Sequence, residues 1–128
     1  MSTRDASFRW RLLLNALVAL AADADTQLAW LDKYQVEADE LALDFDHAFR
    51  MADSMQADGL LDEKTMDRLR LIDTIFEAMS GPDCADRWSP EALAAEATWG
   101  EVKELARSVL AALQVDWQGP MPEIHVVR

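Results

Sequence analysis

The stretch VEADELALDFDHAFRMADSMQA, Val36 to Ala57, decides the fold class. Ala38, Leu41, Ala42, Phe45, Ala48, Phe49, Ala52 and Met55 follow the i, i+3, i+4, i+7 rule without a gap. At about 100° per residue they fall in one arc, the apolar stripe of an amphipathic helix. The spacing predicts a single helix over 36–57, stopped by Gly59.

Helical signals continue on both sides. Downstream, Asp62 is placed to cap a helix, with Leu61 and Met66 as a hydrophobic staple. Met66, Leu69, Ile72, Ile75, Phe76 and Met79 form its stripe, and Gly81-Pro82 ends it. Residues 81–88 read as a loop. Ser89-Pro90 pairs a cap with proline at the first helical position and opens a short helix to about Ala97. Thr98-Trp99-Gly100-Glu101 has capping-box spacing. The last helix then turns Trp99, Val102, Ala106, Val109, Leu110 and Leu113 inward.

Upstream, Leu13, Leu14, Leu17, Leu20 and Ala21 recur at helical spacing, which predicts a helix from about Ser7 to Ala22. Asp23, Asp25 and Thr26 each suit an N-cap. Leu28, Trp30, Leu31 and Tyr34 give a short second helix. Gly119, Pro120 and Pro122 predict an extended tail over 115–128, in which Ile124, Val126 and Val127 could add a short strand. The expectation is an all-α single domain over residues 1–128. It is a bundle of five or six helices with an extended C-terminal tail.

Composition fits that class. Apolar residues are 51% of 128, enough to bury a core, and only four Gly and four Pro leave few tight turns. The formal net charge is −12, which opposes nucleic acid and anionic membrane and favours a basic protein partner. The charge is concentrated: residues 23–63 hold 12 of the 24 acids against only Lys33 and Arg50. Arg4, Arg9 and Arg11 precede the apolar run Leu12 to Ala22, the order of a signal peptide, but Asp5 and Asn15 interrupt it. A core helix is the expected reading, and the run is too short to span a membrane. Cys84 is the only cysteine, so no internal disulfide can form, which suits a cytoplasmic protein.

Four groups bear on chemistry. Glu37, Glu40, Asp44 and His47 are spaced three, four and three, one strip of a helix 36–57. Carboxylate and imidazole so placed can bind a metal, as in bundles with di-metal sites. A solvated acidic flank gives the same pattern. Helical nucleotide pyrophosphatases pair an E-x-x-E such as Glu37-x-x-Glu40 with a later E-x-x-D, which this chain lacks. Asp73 and Glu77 are the nearest acids, without a partner His. No metal or cofactor is expected.

The turn from Ser54 through Asp58-Gly59 to Asp62 echoes an EF-hand. Ser54, Gln56 and Thr65 then stand where that loop needs acidic ligands, so an ordinary corner is expected. No G-x-S-x-G or phosphate-binding glycine loop is present, and His47 and His125 are the only histidines. The chain is therefore not expected to be an enzyme. Of the five Trp, Trp99 belongs to a core stripe, while Trp88 and Trp117 lie near helix ends and could pack internally or anchor an interface.

The remaining face carries Asp39, Leu43, Asp46, Arg50 and Asp53. An exposed Leu ringed by acids suits a basic, partly apolar partner. The expected partner-binding set is Glu37, Asp39, Glu40, Leu43, Asp44, Asp46, His47 and Asp53. A metal-dependent hydrolase built on Glu37, Glu40, Asp44 and His47, and a structural homo-oligomer or homodimer, remain as alternatives.

One further pattern runs through Asp58-Gly59-Leu60-Leu61-Asp62, Leu69-x-x-Ile72-Asp73, Phe76-x-x-Met79-Ser80-Gly81, Trp88-Ser89-Pro90-Glu91-Ala92-Leu93 and Trp99-x-x-Val102-x-x-Leu105-Ala106. This stretch, less than half the chain, resembles small helical immunity proteins of bacterial toxin systems. The resemblance implies an inhibitor that neutralises a toxin domain, often a basic nuclease, by occlusion.

Overall fold

The computed structural model describes residues 3–81, 84–115 and 121. It holds seven α-helices among those residues and no strand. They are α1 (Thr3–Ala21), α2 (Ala24–Tyr34), α3 (Asp39–Phe49), α4 (Ala52–Ala57), α5 (Glu63–Ala78), α6 (Pro90–Ala95) and α7 (Ala97–Ala112). A short 3₁₀ turn, Ala85–Trp88, precedes α6. The apolar stripes meet in one core. α1 packs against α7 and α3, and α7 packs in turn on α5. Leu13, Leu17, Leu41, Leu69, Ile72, Val102 and Leu110 are at most 1% exposed at its centre. No single helix among the described residues is long and apolar enough to cross a membrane.

The expected caps at Asp62 and Ser89 form. Asp62 accepts from the Thr65 amide at 2.8 Å, and Ser89 from the Ala92 amide at 3.1 Å ahead of Pro90. Gly59 turns the chain with φ +80°, a left-handed conformation that disfavours a Cβ. The end of α1 is closed by tertiary contacts. The Ala22 amide bonds Val18 O, and Gln27 Nε2 donates to Ala19 O and Leu20 O at 2.9 and 3.1 Å. Arg107 Nε from α7 donates to Ala21 O at 2.9 Å. Each of the last four carbonyls of α1 thus finds a donor. Gln27 is 1% exposed, a polar core residue that the stripe of α2 did not include.

Four expectations are corrected. The helix over 36–57 is two helices. α2 ends at Gln35 in the left-handed region (φ 53°), so residues 36–38 precede α3. The second break falls at Arg50–Met51. There the Ser54 hydroxyl donates to Met51 O at 2.8 Å, a side-chain bond to the backbone of the kind that bends helices. The apolar stripe nevertheless crosses the break, with Ala48 and Ala52 both 0% exposed. With that division the described residues hold seven helices, close to the five or six expected. The N-cap of α7 is Glu96 rather than Thr98, because the helix already begins at Ala97. Asp23 is the N-cap residue of α2, but its carboxylate pairs with Arg107 at 3.0 Å instead of the helix amides. Finally, Leu113, Ile75, Ala42, Phe49, Leu14, Leu28 and Tyr34 are only partly buried at the edge of the core.

Val115 and Met121 pack against the core. The rest of the tail expected to be extended, with Trp117, Ile124, His125, Val126 and Val127, lies outside the described residues.

Candidate functional site

On α3 the buried line Leu41, Phe45 and Ala48 separates two acidic flanks. This split follows from helix geometry, since residues three and four apart share a flank and adjacent residues do not. One flank carries Asp39, Leu43 and Asp46, and the other Glu40, Asp44 and His47.

The first flank borders a cleft of about 800 Å³ between α3 and α5. Glu37, Asp39 and Asp46 line it from the α3 side, and Asp73 and Glu77 from α5. The Ala85–Trp88 turn supplies part of the wall. The base is aromatic. Phe45 and Phe76 meet edge to face at 6.0 Å, and Phe76 stacks on Trp88 at 6.1 Å. Both Trp indoles are fixed by hydrogen bonds to the main chain: Trp88 Nε1 donates to Met79 O at 2.9 Å and Trp99 Nε1 to Arg87 O at 2.8 Å. Trp88 therefore packs internally and still presents part of its surface to the cleft. Leu43, 48% exposed, stands among the carboxylates.

The cleft is electrostatically unbalanced. Asp73 titrates above the ordinary carboxylate range because it is partly desolvated and because Asp46 and Glu77 repel its charge. Arg50 opposes this effect. Its guanidinium Nε bonds Asp46 Oδ2 at 3.0 Å from the solvent side, with the Arg50 side chain 75% exposed.

The second flank is a separate group. Burial pushes the Asp44 carboxyl up to about 6, and its neighbour Glu40 adds to the rise through charge and a hydrogen bond, while His47 acts the other way. The strip expected from Glu37, Glu40, Asp44 and His47 is thus divided. Glu37 precedes α3 and lines the cleft, whereas the other three lie on the far flank. Among the described residues no three His, Cys, Asp or Glu side chains converge in an arrangement that could hold a metal ion.

Of the expected partner-binding residues, the structure gathers Glu37, Asp39, Leu43 and Asp46 at the cleft. Glu40, Asp44 and His47 are not among its lining, and Asp53 is exposed on α4 beyond the break. Asp73, Glu77, Phe76 and Trp88 join the site without having been assigned to it from sequence. Asp73 and Glu77 are visible in sequence as an i, i+4 acidic pair beside the α5 stripe, but nothing in that pattern says which helix they face.

A second, shallower hollow of about 770 Å³ lies between α5 and α7, lined by Leu71, Ile75, Leu105, Ala97 and Gly100 with Glu101 and Glu104. Cys84 is half-buried, with its thiol 3.7 Å from Ala78 O.

No protein-family model matches this chain, and no curated protein or solved structure gives a match either.

Proposed function

We propose that this chain is an acidic protein-binding module whose α3–α5 cleft docks a basic protein. In keeping with the resemblance of residues 58–113, we read it as an immunity-type inhibitor that neutralises a toxin domain by occlusion in the cytoplasm. One observation carries the reading: five carboxylates, Glu37, Asp39, Asp46, Asp73 and Glu77, line a cleft that also offers an exposed Leu43 and an aromatic base. Complementary charge speeds encounter and rejects wrong partners. An apolar anchor in a desolvated pocket supplies most of the binding energy. A single-sign rim around such a pocket provides both for a basic partner, and the net charge of −12 steers it from a distance.

The test is affinity capture from host lysate, followed by calorimetry on the purified partner at two salt concentrations. Reversal of Asp39, Asp46 and Asp73 to Lys is expected to abolish binding, while reversal of Glu91 and Glu101, exposed on other helices, leaves most of it. A toxin partner should lose activity at a one-to-one ratio with the wild-type protein. Equal binding by both reversal variants would overturn the reading.

A further inference from the structure

The cleft already has a cationic group at its edge, and that group is the molecule's own. Arg50 projects from the end of α3 and bonds Asp46 at 3.0 Å through Nε. Its charge also acts on Asp73, against the rise that burial and the neighbouring carboxylates cause. The pair is exposed, so the contact itself is weak and readily exchanged. Asp73 and Glu77 sit one helical turn apart on α5, opposite Asp46 on α3. No Lys or Arg side chain is among the cleft lining.

We propose, building on the docking role given to this cleft above, that it is an arginine-reading site: a partner arginine enters between Asp46 and Asp73, displacing Arg50, against the aromatic surface of Trp88.

Three features favour a guanidinium over an ammonium. Carboxylates stand on two facing helices, and the five coplanar donors of a guanidinium serve several such acceptors at less cost in ordering than the three of a strongly hydrated ammonium. Trp88, half-buried on Phe76 and Trp99, contributes to the cleft wall, and a guanidinium packs on such aromatic surface as a flat, weakly hydrated cation. The volume of about 800 Å³ admits a long side chain together with its neighbours in the partner chain. Arg50 then has a defined role. It covers part of the rim charge in the free protein and competes with the incoming group, so the same residue limits affinity and discourages weak cations.

The test uses two probes, tetra-arginine amide and tetra-lysine amide, titrated into ¹⁵N-labelled protein and followed through backbone amides and tryptophan indoles. The arginine peptide should shift Asp46, Asp73 and the Trp88 indole, and should bind about fivefold tighter than the lysine peptide. Arg50→Gln should tighten the arginine peptide by about threefold, because a competing cation is gone. Lys64→Gln removes the same charge from an exposed position in the first turn of α5, on the side of that helix away from Asp73, and should change little. Equal affinity for both peptides at the cleft would overturn arginine reading and leave the basic-partner role standing. An equal gain from Arg50→Gln and Lys64→Gln would show that net charge, not displacement, is responsible, and would also overturn it. Shifts scattered over the surface, or none at the cleft, would overturn both the inference and the role on which it rests.

Discussion

The Ser54 hydroxyl accepts a hydrogen bond from Arg9 Nη1 at 2.7 Å, joining two residues 45 positions apart in the chain. The same oxygen donates to Met51 O at 2.8 Å, at the break between α3 and α4. One small side chain thus bonds the backbone at the break and ties it to α1. Ser54→Ala should cost about 1.5–2 kcal/mol of stability, the lower end of the net value for a bond to a charged donor, since the site is only partly buried. Urea unfolding of Ser54→Ala, Arg9→Met and the double variant should give a coupling of about 0.5–1 kcal/mol. Strict additivity would show that the two residues do not act together.

Gln27 holds the end of α1 by donating to Ala19 O and Leu20 O. Gln27→Met keeps the volume and removes the donor. The two carbonyls then stay buried without a partner, at a cost of about 1–2 kcal/mol. Thermal unfolding would check this, and an unchanged midpoint would mean that water reaches the α1 terminus.

The pH dependence of stability should carry two opposite signatures. Asp44 has its folded pKa raised from 3.8 to about 6. Its contribution is fully present below the unfolded value and is lost as pH rises through about 6. Asp44→Asn, with no charge to desolvate, should therefore exceed the parent by about 1 kcal/mol at pH 8, once partial exposure is discounted. The two proteins should match near pH 4. Asp62 behaves the other way, since the Thr65 amide lowers its pKa. Its contribution is present at neutral pH and is lost as pH falls through its folded value. Chemical denaturation of Asp44→Asn and Asp62→Ala, each beside the parent, across this range would reveal the signs, and a pH-independent gain for Asp44→Asn would contradict the first.

Gly59 has open space around the position of a Cβ but sits at φ +80°. Gly59→Ala should cost about 1 kcal/mol through backbone strain alone. Gly59→Asn should cost less, because Asn tolerates this region. If both substitutions were harmless, the turn would have to adopt another conformation.

Leu43 is 48% exposed, so Leu43→Asp should leave the unfolding midpoint nearly unchanged. Binding of the basic partner should fall about tenfold or more, as for loss of an apolar anchor. Calorimetry and melting curves on the same samples separate the two effects. Lost stability with intact binding would remove Leu43 from the docking surface.

Much of the fold was legible in the sequence because its cues are local. The stripe from Leu41 through Met55, the cap at Asp62 and the Ser89-Pro90 start depend on residues within a turn or two of one another. The same periodicity told which carboxylates share a flank, and so grouped Asp39 with Leu43 and Asp46. Tertiary structure decided the rest. The break at Arg50–Met51 was hidden because its stripe runs on unbroken while Ser54 answers to Arg9. The burial of Gln27 depends on the carbonyls of a different helix, which no pattern within α2 can reveal. Asp73 and Glu77 meet Asp46 only because α5 lies beside α3 with those flanks facing. Helical periodicity determines which side chains stand together on one helix. Which flanks of two helices face each other is set by how their cores interlock, and that packing brings the cleft's acids together.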